Sequence, residues 1–314
     1  MNYDFNTCPD RAGSGSLKWE RYAGRDVIPM WVADMDFTSA PEIIEALHDR
    51  VSHGVFGYTV PPSSTVEAAI AYLRERHGAE VTPEQIVWFP GLVPALNVAC
   101  RAFVPAGSEV LTCTPVYPPF LSSPEFAGVG LKTVGLVENN GVWEIDFDGL
   151  EAAVTPNTKL FILCNPHNPV GRVFPRATLE RLAEFCCRHG LVLISDEIHC
   201  DLVLDDLPHT SGLKLAGPAG PPVLSMFAPS KTFNLAGLQA SSKNLSVISN
   251  NLANASTTGF KRSEARFADI INEEAGTRPG AVFGKGVSTV SIERTTAQGA
   301  MMGTSSSLDF AVDG

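Results

Sequence analysis

The stretch Leu160-Phe161-Ile162-Leu163-Cys164-Asn165-Pro166-His167-Asn168-Pro169-Val170-Gly171 sets a short apolar run directly against a polar turn. A run so short and so fully apolar suits a strand buried on both faces, as in a parallel sheet, and the prolines and glycine then end it. The same arrangement recurs on either side. Upstream, Val110-Leu111-Thr112-Cys113 leads into Thr114-Pro115-Val116-Tyr117-Pro118-Pro119. Downstream, Leu191-Val192-Leu193-Ile194-Ser195 ends at Asp196-Glu197, and Val223-Leu224-Ser225-Met226-Phe227 runs into Ala228-Pro229-Ser230-Lys231. Between these runs, Thr178 to Arg188 carries Leu179, Leu182, Ala183, Phe185 and Cys186 along one helical face. Earlier, Ile86-Val87-Trp88-Phe89 reads as a strand feeding Pro90-Gly91-Leu92-Val93-Pro94, which opens an apolar helix. Strands alternating with helices predict an α/β fold with a mainly parallel sheet, whose ligands lie beyond the carboxyl ends of the strands.

Those ends offer Tyr117, Asn168, Asp196 and Lys231. Each alone has an ordinary reading: a solvated lysine, an asparagine bracing a turn, an aspartate capping a helix. Together they are the set that a pyridoxal 5'-phosphate site requires. Such a site needs an amine for a Schiff base, a carboxylate to keep the pyridine nitrogen protonated, and a ring to stack on the pyridine face. It also needs a partner for the 3'-oxygen and backbone amides at a helix start for the phosphate. The loop at Gly91, Leu92 and Val93 suits the last task.

Composition bounds the rest. A chain of 314 residues, 44% hydrophobic and 18% charged, is globular, with room for one large domain or a domain and an appendage. Its formal net charge of -11 argues against nucleic acid or an anionic membrane as partner. The N-terminus lacks a basic flank before an apolar run, and no stretch reaches the roughly 18 apolar residues of a membrane span. The seven cysteines show no CxxC spacing and several lie in apolar runs. They read as reduced thiols of a cytoplasmic protein, with no metal site expected.

These motifs resemble the fold-type I pyridoxal-phosphate enzymes, specifically the cystathionine β-lyase-like C–S lyases of the MalY/PatB type, a branch of the class I/II aminotransferase group. The pieces are Asn165-Pro-His-Asn-Pro-Val-Gly171, Ser195-Asp-Glu-Ile-His199, Ser230-Lys-Thr-Phe-Asn-Leu-Ala-Gly-Leu238, Pro29-Met-Trp-Val-Ala-Asp-Met-Asp-Phe37 and Gly54-Val-Phe-Gly-Tyr-Thr59. The likeness runs over residues 1–241 and implies a large cofactor-binding domain there. It makes Lys231 the Schiff-base lysine and the acid/base at the substrate Cα. It assigns Asp196 to the pyridine nitrogen, Tyr117 to ring stacking, and Asn168 with His199 to the 3'-oxygen. Gly91, Leu92 and Val93 would hold the phosphate, Ser230 would also bind the cofactor, and Tyr58 would reach the phosphate of a neighbouring subunit, which implies a homodimer. The implied reaction is α,β-elimination of a small amino-acid substrate, cystathionine or a cysteine S-conjugate, to a thiol, pyruvate and ammonia. A class I/II aminotransferase is the nearest alternative. The sequence departs from the pattern at Ala228, where many related aminotransferases carry a hydroxyl residue. The strand and small domain that follow in the family are not recognisable, so cofactor attachment at Lys231 with little or no turnover is the expectation.

The composition breaks near residue 241. Every Trp, Tyr, His and Cys precedes residue 242, and of the prolines only Pro279 follows it. The last 73 residues carry seven Lys/Arg and seven Asp/Glu, so the net negative charge belongs to the first part. Leu238, Leu245, Ile248, Leu252 and Ala255 form a heptad-like stripe that predicts a helix over about 238–256, and Val287 to Ile292 alternates as a strand. Ser246 to Ser249 could instead pair as a strand. Ser249-Asn-Asn-Leu-Ala-Asn254, Thr257-Thr-Gly-Phe-Lys261 and Leu308-Asp-Phe-Ala-Val-Asp-Gly314 resemble the N-terminal region of bacterial flagellar hook and rod proteins. Arg266-Phe-Ala-Asp269 and Thr296-Ala-Gln-Gly299 add to that likeness. It implies a hook- or rod-like segment at 242–314, flagellar subunits as its partners, and a chimera joined within 237–241.

Overall fold

A computed structural model describes residues 3–204, 206–217, 219–235, 263–269 and 287–294. It forms two compact units, Met1–Pro9 with Met35–Leu235, and Asp10–Asp34 with Ala236–Gly314. The elements open with helices α1 (Leu17–Glu20), α2 (Pro41–His53), α3 (Ser63–His77) and α4 (Leu92–Phe103). Strand β1 (Glu109–Thr114), helix α5 (Pro119–Ala127) and strands β2 (Gly130–Gly135), β3 (Val137–Asn139) and β4 (Val142–Glu144) follow. Then come α6 (Phe147–Ala153), β5 (Thr158–Cys164), α7 (Arg176–His189), β6 (Val192–Asp196), β7 (Val223–Met226) and α8 (Pro229–Thr232). The last are β8 (Ser263–Asp269) and β9 (Val287–Arg294).

Within the first unit, five strands form one sheet in the order β2-β1-β5-β6-β7, every neighbouring pair parallel. The strand period of two sends alternate side chains to opposite faces. On β5, Leu160, Ile162 and Cys164 face the cluster built with Leu96, Cys100 and Phe120 of α4 and α5. Phe161 and Leu163 face the cluster with Leu179, Leu182, Phe185 and Cys186 of α7. Both faces are therefore dry, which is why the strand reads as an unbroken apolar run. Fully burying one such side chain is worth roughly 1.5–3 kcal/mol. Helix α7 buries the predicted stripe and ends at Gly190, whose φ of +64° suits the glycine there.

The four strands expected at Val110, Leu160, Leu191 and Val223 all form. Ile86–Phe89 does not: it is irregular, and Val87, Trp88 and Phe89 are exposed. A strand needs a ladder partner, and among the described residues the sheet ends at β2 and β7 without one for this segment. In the second unit, Arg11 binds Ser16 at the start of α1 at 2.8 Å and Asp34 at 2.6 Å, and Lys18 donates to the Asp34 carbonyl at 3.0 Å. β8 and β9 pair antiparallel with a register shift at Arg266/Phe267, so the strand expected at Val287–Ile292 forms. The helix expected at 238–256 and the Ser246–Ser249 alternative lie outside the described residues. All seven cysteines are free; Cys8 and Cys187 are exposed and the others buried. Among the described residues no helix is long and apolar enough to cross a membrane.

Candidate active site

The parallel register brings the predicted residues to one edge of the sheet. Cys164, Asp196 and Met226 are neighbours across β5, β6 and β7, so the segments that follow these strands emerge side by side. Asn168 lies beyond β5, His199 beyond β6, and Ser230 and Lys231 in α8 beyond β7. Tyr117 follows β1 and packs, with Leu92 of α4, against the cluster on that face. The start of α4 thus abuts the same cluster as the Tyr117 ring. Gly91 precedes that helix with no side-chain cap, and Gly91, Leu92 and Val93 are partly exposed, so the first-turn amides are not taken up by a capping side chain.

Asp196 ends β6 with 4% exposure. Its Oδ1 accepts the Ile198 N–H at 3.1 Å. Burial pushes its carboxyl from 3.8 up to about 7, with Glu197 adding to the rise and the Ile198 hydrogen bond opposing it. Tyr117 is held above its ordinary value by burial and by the charge on Asp196, which places the two in electrostatic contact. Burial depresses His199, and the charge on Lys231 depresses it further, so that imidazole is neutral at pH 7.

Other groups hold these in place. Asn165, fully buried, accepts the Phe174 N–H at 3.1 Å and closes the turn that presents Asn168. His167 sets Nδ1 3.1 Å from the Cys164 carbonyl and Nε2 2.8 Å from that of Pro115, joining the loops after β5 and β1. Glu197, also fully buried, meets His209 Nε2 at 2.8 Å and accepts from Ser211 Oγ at 3.2 Å and the Gly212 N–H at 2.8 Å. Asn234, at φ +56°, binds the Met35 and Phe37 backbone at 3.0–3.1 Å and fixes the turn after Lys231. None of these was singled out from sequence, although Asn165, His167, Glu197 and Asn234 stand inside the quoted motifs. Tyr58 is fully exposed, so the fold does not bring it to these residues.

Residues 25–258 match the family described as aminotransferase class I and II, which spans most of the chain and the whole of this site. The chain belongs to that family. Among its relatives, the cystathionine beta-lyase PatB of Bacillus subtilis is 44% identical over 246 residues, covering 77% of this chain and 63% of PatB. The crystal structure of OvoB superposes with a TM-score of 0.72 at 43% identity, covering 76% of this chain and 63% of that one. Cystalysin from Treponema denticola, which contains a pyridoxal 5'-phosphate cofactor, gives a TM-score of 0.72 at 35% identity, with 76% and 62% covered. The chain thus spans less than two thirds of the length of these relatives. Their likeness places it with the fold-type I α/β fold of the family.

Proposed function

We propose that the chain is a pyridoxal 5'-phosphate-dependent carbon–sulfur β-lyase, of the class that releases a thiol, pyruvate and ammonia from cystathionine or a cysteine S-conjugate, with the cofactor attached at Lys231 and turnover weak or absent. One observation carries the cofactor reading: a buried carboxylate at a parallel strand end, beside the strand that leads into Lys231. Among the described residues no ion pair neutralises Asp196, and burial alone makes its charged form costly. A protonated pyridine nitrogen supplies the counter-charge that would make the ionised form favourable there. The relatives' names supply the reaction class.

When bound, the cofactor supplies an electron sink for the negative charge that develops at the substrate Cα. Lys231 holds it and then moves the Cα proton, since an amine in a desolvated pocket gives up its proton more readily than one in water. Tyr117 packs on the pyridine face, while Asn168 and the neutral His199 meet the 3'-oxygen. The amides at Gly91, Leu92 and Val93 hold the phosphate, and Ser230 also binds the cofactor; Ala228 adds no hydroxyl. The partner is a small amino acid, the setting the cytoplasm, and the assembly a homodimer in which Tyr58 serves the other subunit's phosphate.

Residues 1–241 form the cofactor domain in this reading, and 242–314 a flagellar hook- or rod-like segment in a chimera joined within 237–241. The composition break near residue 241 supports that division.

Borohydride reduction of the purified chain with pyridoxal 5'-phosphate is expected to leave a phosphopyridoxyl group on Lys231, found by peptide mass spectrometry. Equal labelling of Lys231→Ala overturns the cofactor reading. Weak pyruvate release from L-cystathionine, absent in Lys231→Ala, supports the lyase, and brisk release overturns the expectation of weak turnover. Amino transfer to a keto acid without pyruvate favours an aminotransferase.

A further inference from the structure

Behind the candidate site, α3 and the turn after β6 bring together His77, Cys200 and Asp201, whose ligand atoms all lie within 4.8 Å of one another. His77 Nε2 is 3.8 Å from Cys200 Sγ. The Tyr72 hydroxyl stands among them, 3.0 Å from His77 Nε2, 3.4 Å from Cys200 Sγ and 2.8 Å from Asp201 Oδ2. Four ligand atoms around a tetrahedral zinc ion are separated by roughly 3.3–3.6 Å, given Zn–N, Zn–S and Zn–O bonds of about 2.0–2.3 Å. Four of the six separations run from 2.8 to 3.8 Å and straddle that range, and the two between Asp201 and His77 or Cys200 lie within 4.8 Å.

We propose that His77, Cys200 and Asp201, with Tyr72 completing the set, form a binding site for a divalent cation of the zinc class. The donor types select such an ion, because imidazole and thiolate favour it over calcium or magnesium. Binding releases the Cys200 thiol proton to solvent, and the thiolate and carboxylate then balance the charge of the ion. Outer groups orient the carboxylate: Thr232 Oγ1 donates to Asp201 Oδ2 at 3.3 Å, and Arg76 lies 3.6 Å from Oδ1. A cavity of about 540 Å³, lined in part by Arg76, His77, Gly78 and His209, opens beside His77. Thr232 follows Lys231, and Cys200 follows His199, so the ion would clamp α3 and two cofactor-bearing segments together. The site stands on its own residues and does not depend on the lyase reading.

The test is Co²⁺ titration of the full chain without added pyridoxal phosphate, followed by dialysis and elemental analysis. One retained cobalt per chain with a thiolate-to-cobalt charge-transfer band is expected, together with displacement by Zn²⁺. Cys200→Ser and His77→Gln should each weaken retention by about 100-fold or more, the scale that even outer partners of a metal site can reach. Cys187→Ser, altering an exposed thiol, should retain the ion. Circular dichroism separates loss of the site from loss of the fold. No retention by the wild-type chain, or an unchanged band in folded Cys200→Ser, overturns the proposal and leaves a hydrogen-bonded cluster.

Discussion

Asp196 is the residue at which stability and function pull in opposite directions. Its carboxyl passes from 3.8 in the open chain to about 7 in the fold. The folded state therefore holds the proton more tightly than the unfolded state. That contribution is fully present below pH 4 and fades as pH rises through about 7. Relative to Asp196→Asn, the cofactor-free wild type is expected to lose about 1.4 kcal/mol of stability per pH unit across that window, and nothing further above it. Urea denaturation of both proteins at successive pH values measures the difference; a flat difference would show that the carboxylate is already compensated. Saturating pyridoxal phosphate should flatten the wild-type slope, because a pyridinium partner stabilises the charged form. Asp196→Asn should in turn bind the cofactor more weakly, since a neutral amide cannot balance that charge.

At the scale of elements, the strands and α7 were legible because burial writes itself into composition. A strand dry on both faces must be apolar throughout, and a helix on one face must show its stripe. Leu182, fully buried at the centre of that stripe, should cost about 2–5 kcal/mol when changed to Ala, read as a lowered urea midpoint with an unchanged slope. The turn after β5 gives a second prediction. Asn165→Ala strands the Phe174 N–H, at a cost of roughly 1–3 kcal/mol. It should also weaken cofactor binding, because Asn168 loses its frame; fluorescence titration with pyridoxal phosphate reads this. Ile86–Phe89 misled for the complementary reason. Its apolar pattern is strand-like, but pairing depends on a neighbour far away in the chain, which no local pattern records. The Tyr72, His77, Cys200 and Asp201 cluster was invisible in the same way: its members come from distant segments with no metal-ligand spacing.

Over the whole molecule, the placement of Tyr58 bears on assembly. Its ring is fully exposed, and Val55, Phe56 and Val60 around it are exposed as well. A contiguous run of large apolar side chains in water is costly and is commonly covered by another surface. In the proposed homodimer, that covering surface belongs to a second copy, and Tyr58 extends into the site of its partner. Two variants separate these roles. Replacing Phe56 and Val60 together by Glu should convert a dimer into a monomer in sedimentation velocity, since burying two carboxylates in an apolar contact costs several kcal/mol. Tyr58→Phe removes only a hydroxyl, so it should sediment as a dimer while binding pyridoxal phosphate more weakly. A loss of one phosphate hydrogen bond to a charged group corresponds to about 1.5–3 kcal/mol, or roughly 10- to 150-fold in affinity. If the double variant stays dimeric, the contact lies elsewhere; if Tyr58→Phe binds the cofactor as the wild type does, Tyr58 has no part in the phosphate site.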